Sequence, residues 1–214
     1  MKLLDKTVDT LRQRVRSEMS EWRFVHTAEV EKMAARLGEL YLPEKIAELR
    51  IAALLHDITK EKSTDEQISL LKFYGICTND SDRLSPKTLH ARTAELVAAD
   101  KYSEYVSPEI LSAIGRHTTG HPDMTLFDAI IYLADYIEDT RTFPDCVELR
   151  RFFYDGIESG RDKDEVLLDT MIKSFDMTMK NLIEEGAHID TDTVQARSYY
   201  LSLASSLKAM SAKN

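Results

Sequence analysis

Ile51-Ala52-Ala53-Leu54-Leu55-His56-Asp57-Ile58-Thr59-Lys60 reads as the inner part of a central helix, interrupted by an imidazole and a carboxylate. The apolar run before His56 leaves no polar face, so the segment belongs in the middle of a core. Burying an unpartnered ionised group costs several kcal/mol, and His56 with Asp57 needs something to offset that. A metal cation is the most economical partner, because it uses the imidazole lone pair and the carboxylate charge together. Lys60, three residues past Asp57 and four past His56, reaches their side if the helix continues that far. The pattern predicts that it does, over 44–60 behind Pro43. A metal beside a phosphate-facing cation is the chemistry this offers.

Working outward, the period stays helical. Val30, Met33, Leu37 and Tyr41 recur at spacings of three and four, giving a helix over 24–41 behind a charged amphipathic one over 8–19. Further helices are expected over 65–74, ended by Gly75, over 86–99 behind Pro86, and over 108–116 behind Pro108. Thr125 caps another over 126–138. Asn79-Asp80-Ser81-Asp82 reads as loop. Beyond Gly160 come helices over 163–185 and 191–209, with Gly186 as the C-cap between them. No alternating strand pattern of useful length is found, so the expected fold is all-α, a compact helical bundle.

At 214 residues the chain suits one sizeable core and is short for two domains. A single domain is expected over 1–214, its core at about 20–140 and C-terminal helices at about 160–210 packed on it. Only 7 Gly and 5 Pro accompany 43% hydrophobic and 30% charged residues, which fits helices. A net charge of -9 argues against a general nucleic-acid binder, which needs a basic face. Cys77 and Cys146 make no disulfide framework and read as reduced packing residues. Neither a signal-peptide core nor a run near the roughly 20 apolar residues of a membrane span appears. A soluble, cytoplasmic protein is expected.

Four more chemistry-bearing residues turn inward. His26 shares a stripe with Val30, Met33 and Leu37; His117 follows Ile110 and Ile114; Asp135 follows Phe127 and Ile131; His90 is in register with Thr93, Ala94 and Val97. One inward histidine alone is more often bonded to a backbone carbonyl than to a metal. One inward aspartate is more often in a salt bridge. Yet His26, His56, Asp57, His90, His117 and Asp135 come from five helices, and one shared metal site satisfies them all. His and Asp ligands without thiolate suit a divalent ion used for hydrolysis: iron, manganese, zinc or magnesium. His121 and His188 read as loop residues, His121 at the surface near the site mouth. Arg150-Arg151 and Lys60-Glu61-Lys62 allow ordinary solvated charges, with Glu148 as a partner for Arg151.

The order His26, His56-Asp57, Asp135 resembles the HD-domain metal-dependent phosphohydrolases. Arg23-Phe24-Val25-His26-Thr27, His117-Thr118-Thr119-Gly120, Ile131-Tyr132-Leu133-Ala134-Asp135-Tyr136-Ile137-Glu138, Arg141 and Phe143-Pro144 sharpen the likeness. They are similar to the YqeK branch, bacterial symmetrical diadenosine tetraphosphate hydrolases, over about 20–200. Thr59, Ala91 and Ser198 depart from that pattern, and none is a candidate ligand. The resemblance implies cleavage of Ap4A to two ADP by metal-activated water, with iron as the metal, in one or two ions. It makes His26, His56, Asp57 and Asp135 the ligands, with Asp57 and Lys60 catalytic. Lys60 and Arg141 would stabilise phosphoryl charge, and Arg23 would hold another phosphate. His90 and His117 either bind a second metal, bridged by Asp57, or contact phosphates; phosphate contact is the favoured expectation. The 186–189 connection and Arg197 are candidates for the nucleoside end.

Two other readings compete. One is a different HD-type activity, on a nucleoside monophosphate or a cyclic or hyperphosphorylated nucleotide. The other is a non-catalytic nucleotide-binding sensor, which loss of a ligand would signal; none is lost. Tyr199, Tyr200 and Leu203 fit either the core or a homodimer contact.

Overall fold

The computed structural model describes residues 2–78 and 80–211. Among them are eleven α-helices and no strand: α1 (Lys2–Ser17), α2 (Glu21–Tyr41), α3 (Ile46–Leu55), α4 (Thr64–Phe73), α5 (Asp80–Leu84), α6 (Leu89–Lys101), α7 (Pro108–Arg116), α8 (Leu126–Ile137), α9 (Pro144–Glu158), α10 (Lys163–Glu184) and α11 (Thr191–Ser211). The all-α expectation holds. Among the described residues no helix is long and apolar enough to cross a membrane.

Side chains start these helices where the sequence offers an oxygen. Ser20 accepts from the Arg23 amide at α2 and Ser107 from the Ile110 amide at α7. Ser63 with Glu66, and Thr125 with Asp128, form reciprocal capping boxes that satisfy two otherwise free amides each. One hydrophobic core runs from Val8 of α1 to Ala204 of α11, with α3 and α8 at its centre. A smaller cluster of Ile68, Leu71 and Leu89 ties α4 to α6.

Three expectations need correction. First, α3 stops at Leu55, and 56–62 continue as turns closed by Ile58 N–H to Leu55 O (3.3 Å), Lys60 to Asp57 (2.9 Å) and Lys62 to Thr59 (3.1 Å). The His56 ring takes the Ala53 carbonyl at 2.6 Å. Lys60 therefore reaches the cluster by a turn rather than a helix.

Second, 144–158 form a helix the sequence reading left out. Pro144 stands at its first turn and Cys146, Leu149, Phe153 and Gly156 face inward at spacings of three and four. Third, Asp80 to Leu84 is helical rather than loop, while Asn79 lies outside the described residues. Pro86 opens a 3-10 turn over Pro86–Thr88 before α6.

Cys146 is buried but Cys77 is exposed, so packing describes only the former. Tyr200 is buried against Phe175, whereas Tyr199 and Leu203 are exposed. Arg151 pairs with Asp155 rather than Glu148, which meets Lys173. Arg150 is no solvated charge: it donates to the Ile137, Glu138 and Arg141 carbonyls and closes the C-terminal end of α8.

Candidate metal centre

His56 and His117 occupy the same local position: each follows the last residue of a short helix, and each ring turns back on a carbonyl three residues earlier. His56 Nδ1 donates to Ala53 O at 2.6 Å and His117 Nδ1 to Ile114 O at 2.7 Å. A helix end leaves such carbonyls free, so these bonds satisfy them and fix the tautomer. Nε2 is thereby left with a lone pair, aimed away from its own helix. A backbone-bonded histidine is thus compatible with a metal-ligating one, since each role uses a different ring nitrogen.

The six predicted residues converge. Asp57 lies at the centre, 3% exposed. Its Oδ2 is 3.6 Å from His26 Nε2 and 3.5 Å from His56 Nε2, while Asp135 Oδ1 lies 3.0 and 3.8 Å from the same two nitrogens. Its Oδ1 lies 3.3 Å from His90 Nε2 and 3.7 Å from His117 Nε2. Three sets, His26–His56–Asp57, His56–His117–Asp135 and Asp57–His90–His117, each hold their ligand atoms within 4.8 Å of one another.

His26 Nε2, His56 Nε2 and Asp57 Oδ1 are fully buried yet have no hydrogen-bond partner in the protein. Orphaned buried polar atoms are costly, and three of them in one cluster mark a place built for a cation. Ligand atoms around one divalent ion at about 2.1 Å stand roughly 3–3.5 Å apart, close to the separations found. The residues fit a metal.

Electrostatics agree. Burial pushes the Asp57 carboxyl up, but the His56, His117 and His90 imidazoles outweigh it and hold it well below the usual carboxylate range. Asp135 is likewise held well below that range against its burial, by Arg141 first and His26 next. Burial, with the His117 ring and the Lys60 ammonium, keeps His90 well below its ordinary value, and burial also lowers His117. Both are therefore neutral at neutral pH, the form that ligates. His26 differs: burial opposes its charge, yet Asp135 and Glu138 raise it to about 9.

Cations rim the cluster. Arg23 Nη1 meets Asp57 Oδ2 at 2.9 Å, and Arg141 donates to Asp135 through Nε to the carbonyl (2.7 Å) and Nη2 to Oδ1 (2.5 Å). Lys60 Nζ lies 3.1 Å from His90 Nε2. Burial lowers its pKa. Lys60, Arg141, His117 and Asp135 open onto a cavity of about 390 Å³ between α8, α9 and α10. Arg197 is not brought in: its guanidinium pairs with Asp176 between α10 and α11.

Sequence reasoning missed two partners. Glu138, 1% exposed, takes a bond with His26 Nδ1 at 3.2 Å and is itself held by the Thr140 hydroxyl and amide. Thr118 Oγ1 is 3.1 Å from His90 Nε2. Glu138 stands one turn past Asp135, which is the signal that could have found it.

The family model described as HD domain matches residues 23–139. This chain belongs to the HD domain family. The match takes in the six clustered residues with Arg23, Lys60 and Glu138, while Arg141 lies just past it. A curated relative from Halalkalibacterium halodurans is 30% identical over 85% of this chain and 90% of its own length, and one from Bacillus subtilis 29% over 84% and 89%. Both are named bis(5'-nucleosyl)-tetraphosphatase, symmetrical. A crystal structure from Clostridium acetobutylicum, described as a predicted HD superfamily hydrolase involved in NAD metabolism, superposes with a TM-score of 0.78. It is 32% identical, covering 91% of this chain and 96% of that one. The likeness to these proteins thus extends well beyond the matched residues 23–139.

Proposed function

We propose that this HD-domain protein hydrolyses diadenosine tetraphosphate symmetrically, water breaking the central anhydride to give two ADP. The observation that carries the reading is the set of unpartnered ligand atoms beside a cavity walled by Lys60 and Arg141. The names of the two curated relatives agree with it. His26, His56, Asp57 and Asp135 would hold the cation, and iron fits a histidine and carboxylate set. Bound there, the metal supplies Lewis-acid polarisation and a more acidic attacking water.

The remaining work falls to the chain. Asp57, by sharing its two oxygens between the His26–His56 and His90–His117 sides, supports the two-ion alternative better than phosphate contact by the two outer histidines. Lys60 and Arg141 offer fixed positive charge where negative charge gathers on phosphoryl oxygens and on the departing ADP. Arg23 neutralises Asp57 at Oδ2, the oxygen that also faces His26 and His56, and would hold another phosphate. Two free thiols and a nucleotide substrate suit a cytoplasmic enzyme.

The test is product identification. Purified protein supplied with iron or manganese is offered Ap4A, AMP and cyclic dinucleotides, and its metal content is measured. ADP as the sole product from Ap4A, with up to two ions per chain, is expected. Phosphate released from AMP with no ADP from Ap4A overturns the reading.

A further inference from the structure

The turn over 138–141 carries two side chains on which the site depends. Glu138 bonds His26 Nδ1, and Arg141 bonds both the carbonyl and the carboxylate of Asp135. At this turn the chain has left α8 and has not begun α9. The carbonyls at the end of α8 therefore lack the next helical turn that would pair them. Within the turn, Arg141 N–H reaches Glu138 O at 3.2 Å, and Thr140 bonds the Glu138 carboxylate. Such a short piece of backbone keeps one shape when partners outside it satisfy its remaining oxygens.

Arg150 is that outside partner. It follows the inward-facing Leu149 on α9, and its side chain is mostly buried, 19% exposed. Nε donates to the Ile137 carbonyl at 2.7 Å, and Nη2 donates to the Glu138 carbonyl and, at 2.9 Å, to the Arg141 carbonyl. These oxygens lie at both ends of the turn, so one planar fork fixes it as a unit. A lysine ammonium lacks that spread of fixed donors. The other hold from outside is weaker. Asp139 pairs with Arg36 at 2.6 Å, but both are nearly half exposed, at 48% and 44%, and such surface pairs contribute little.

We propose that Arg150 is a positioning residue: by holding the 137, 138 and 141 carbonyls, it sets the Glu138 carboxylate beside His26 and the Arg141 guanidinium beside Asp135 at the cavity wall. It touches neither the ligand atoms nor the cavity, and acts only through those two side chains. The Arg141 half of the inference rests on the hydrolase reading above; the Glu138 half rests on the geometry of the cluster. Small shifts suffice, because a misplacement of about 1 Å in a catalytic group can cost about 10²-fold in rate.

Double-substitution cycles on the full chain test this with two measurements, Ap4A turnover and metal affinity by competition with a chelator. Arg150→Met keeps an apolar stem and removes the fork. It should lower kcat by roughly tenfold or more, and metal affinity by several-fold, up to about the tenfold of losing the ligand's outer partner. Arg150→Lys keeps a cation at the end of α8, so Tm should return towards wild type while kcat stays low. Residues that act as a unit are not additive. In an Arg141→Ala background Arg150→Met should therefore slow turnover less than about twofold, and in a Glu138→Gln background it should leave metal affinity within about twofold. A merely structural arginine would lower Tm and leave kcat per folded chain unchanged, or give full additive losses in both backgrounds. Either result overturns the proposal. Should Arg150→Met fail to fold, Arg150→Lys carries the same cycles. Wild type that yields no ADP from Ap4A sinks the hydrolase reading, and the metal cycle then decides by itself: coupling to Glu138 sustains the positioning role, and additivity ends it.

Discussion

His26 shows what the residue scale adds to a motif. Its Nδ1 is bonded to Glu138 and its Nε2 faces Asp57 and Asp135, so a buried carboxylate sets the ring for the metal. Partners of this kind are typically worth about tenfold to a hundredfold in metal affinity. Glu138→Gln, which keeps the volume and removes the charge, should therefore lower affinity roughly tenfold in a competition titration with a chromophoric chelator. An unchanged affinity would leave Glu138 as a cap for Thr140 only. Asp57→Ala removes the oxygen pair shared by both sides of the cluster, and hydrolysis and bound metal should disappear together. Wild-type-like turnover in that variant would end the metal mechanism. Lys60→Ala separates the roles: metal content should persist while kcat falls about 10²-fold, as for loss of one charge-stabilising donor. The candidate ligands were legible because each sits in register with apolar neighbours. Glu138 was not, because a glutamate after an apolar helix reads as surface, and Arg197 misled because a basic residue on an amphipathic helix does not announce its partner, Asp176.

At the scale of elements, the decisive event is that α3 ends where the chemistry begins. A continued helix would have consumed the Ala53 carbonyl that fixes His56. Periodicity could not show this, since apolar spacing is the same for a helix and for the turns that extend it, and only the competing ring nitrogen stops it. The overlooked α9 is the opposite case: Pro144 and the inward stripe were present, but the charged 145–151 stretch obscured them. Helix starts were read best, because Ser, Thr and Pro act locally, whereas an end depends on what the chain meets next. The α2–α3 contact that positions His26 beside His56 depends on Gly38. A Cβ there would stand 2.8 Å from Leu49 Cδ1 and 3.3 Å from Ile46 Cγ1. Gly38→Ala should force α2 and α3 apart at a cost of about 1–3 kcal/mol, the range for overpacking a core, against less than 1 kcal/mol gained in helix propensity. Chemical denaturation should show a lower midpoint; a raised midpoint would mean that Leu49 can swing aside freely.

At the scale of the whole molecule, the -9 net charge adds to the burden of two buried carboxylates in the cluster, and a cation bound there would relieve it. Two ionised carboxylates, Asp57 and Asp135, are held near each other in a protein already rich in negative charge, beside Arg23, Arg141 and the histidine cluster. A divalent ion that binds the folded chain and not the unfolded one stabilises it by about 2.7 kcal/mol at a free concentration 100 times Kd. For a chain of 214 residues each kcal/mol moves Tm by about 2–4 °C, so removing the metal should lower Tm by roughly 5–10 °C. Because one hydrophobic core joins Val8 to Ala204, we expect a single transition both with and without metal, followed alike by far- and near-ultraviolet circular dichroism. A chelated protein with unchanged Tm would deny the cation its structural part. A second, metal-insensitive transition would mean that α10 and α11 fold apart from the cluster they cover, and the proposed single domain would have to be divided there.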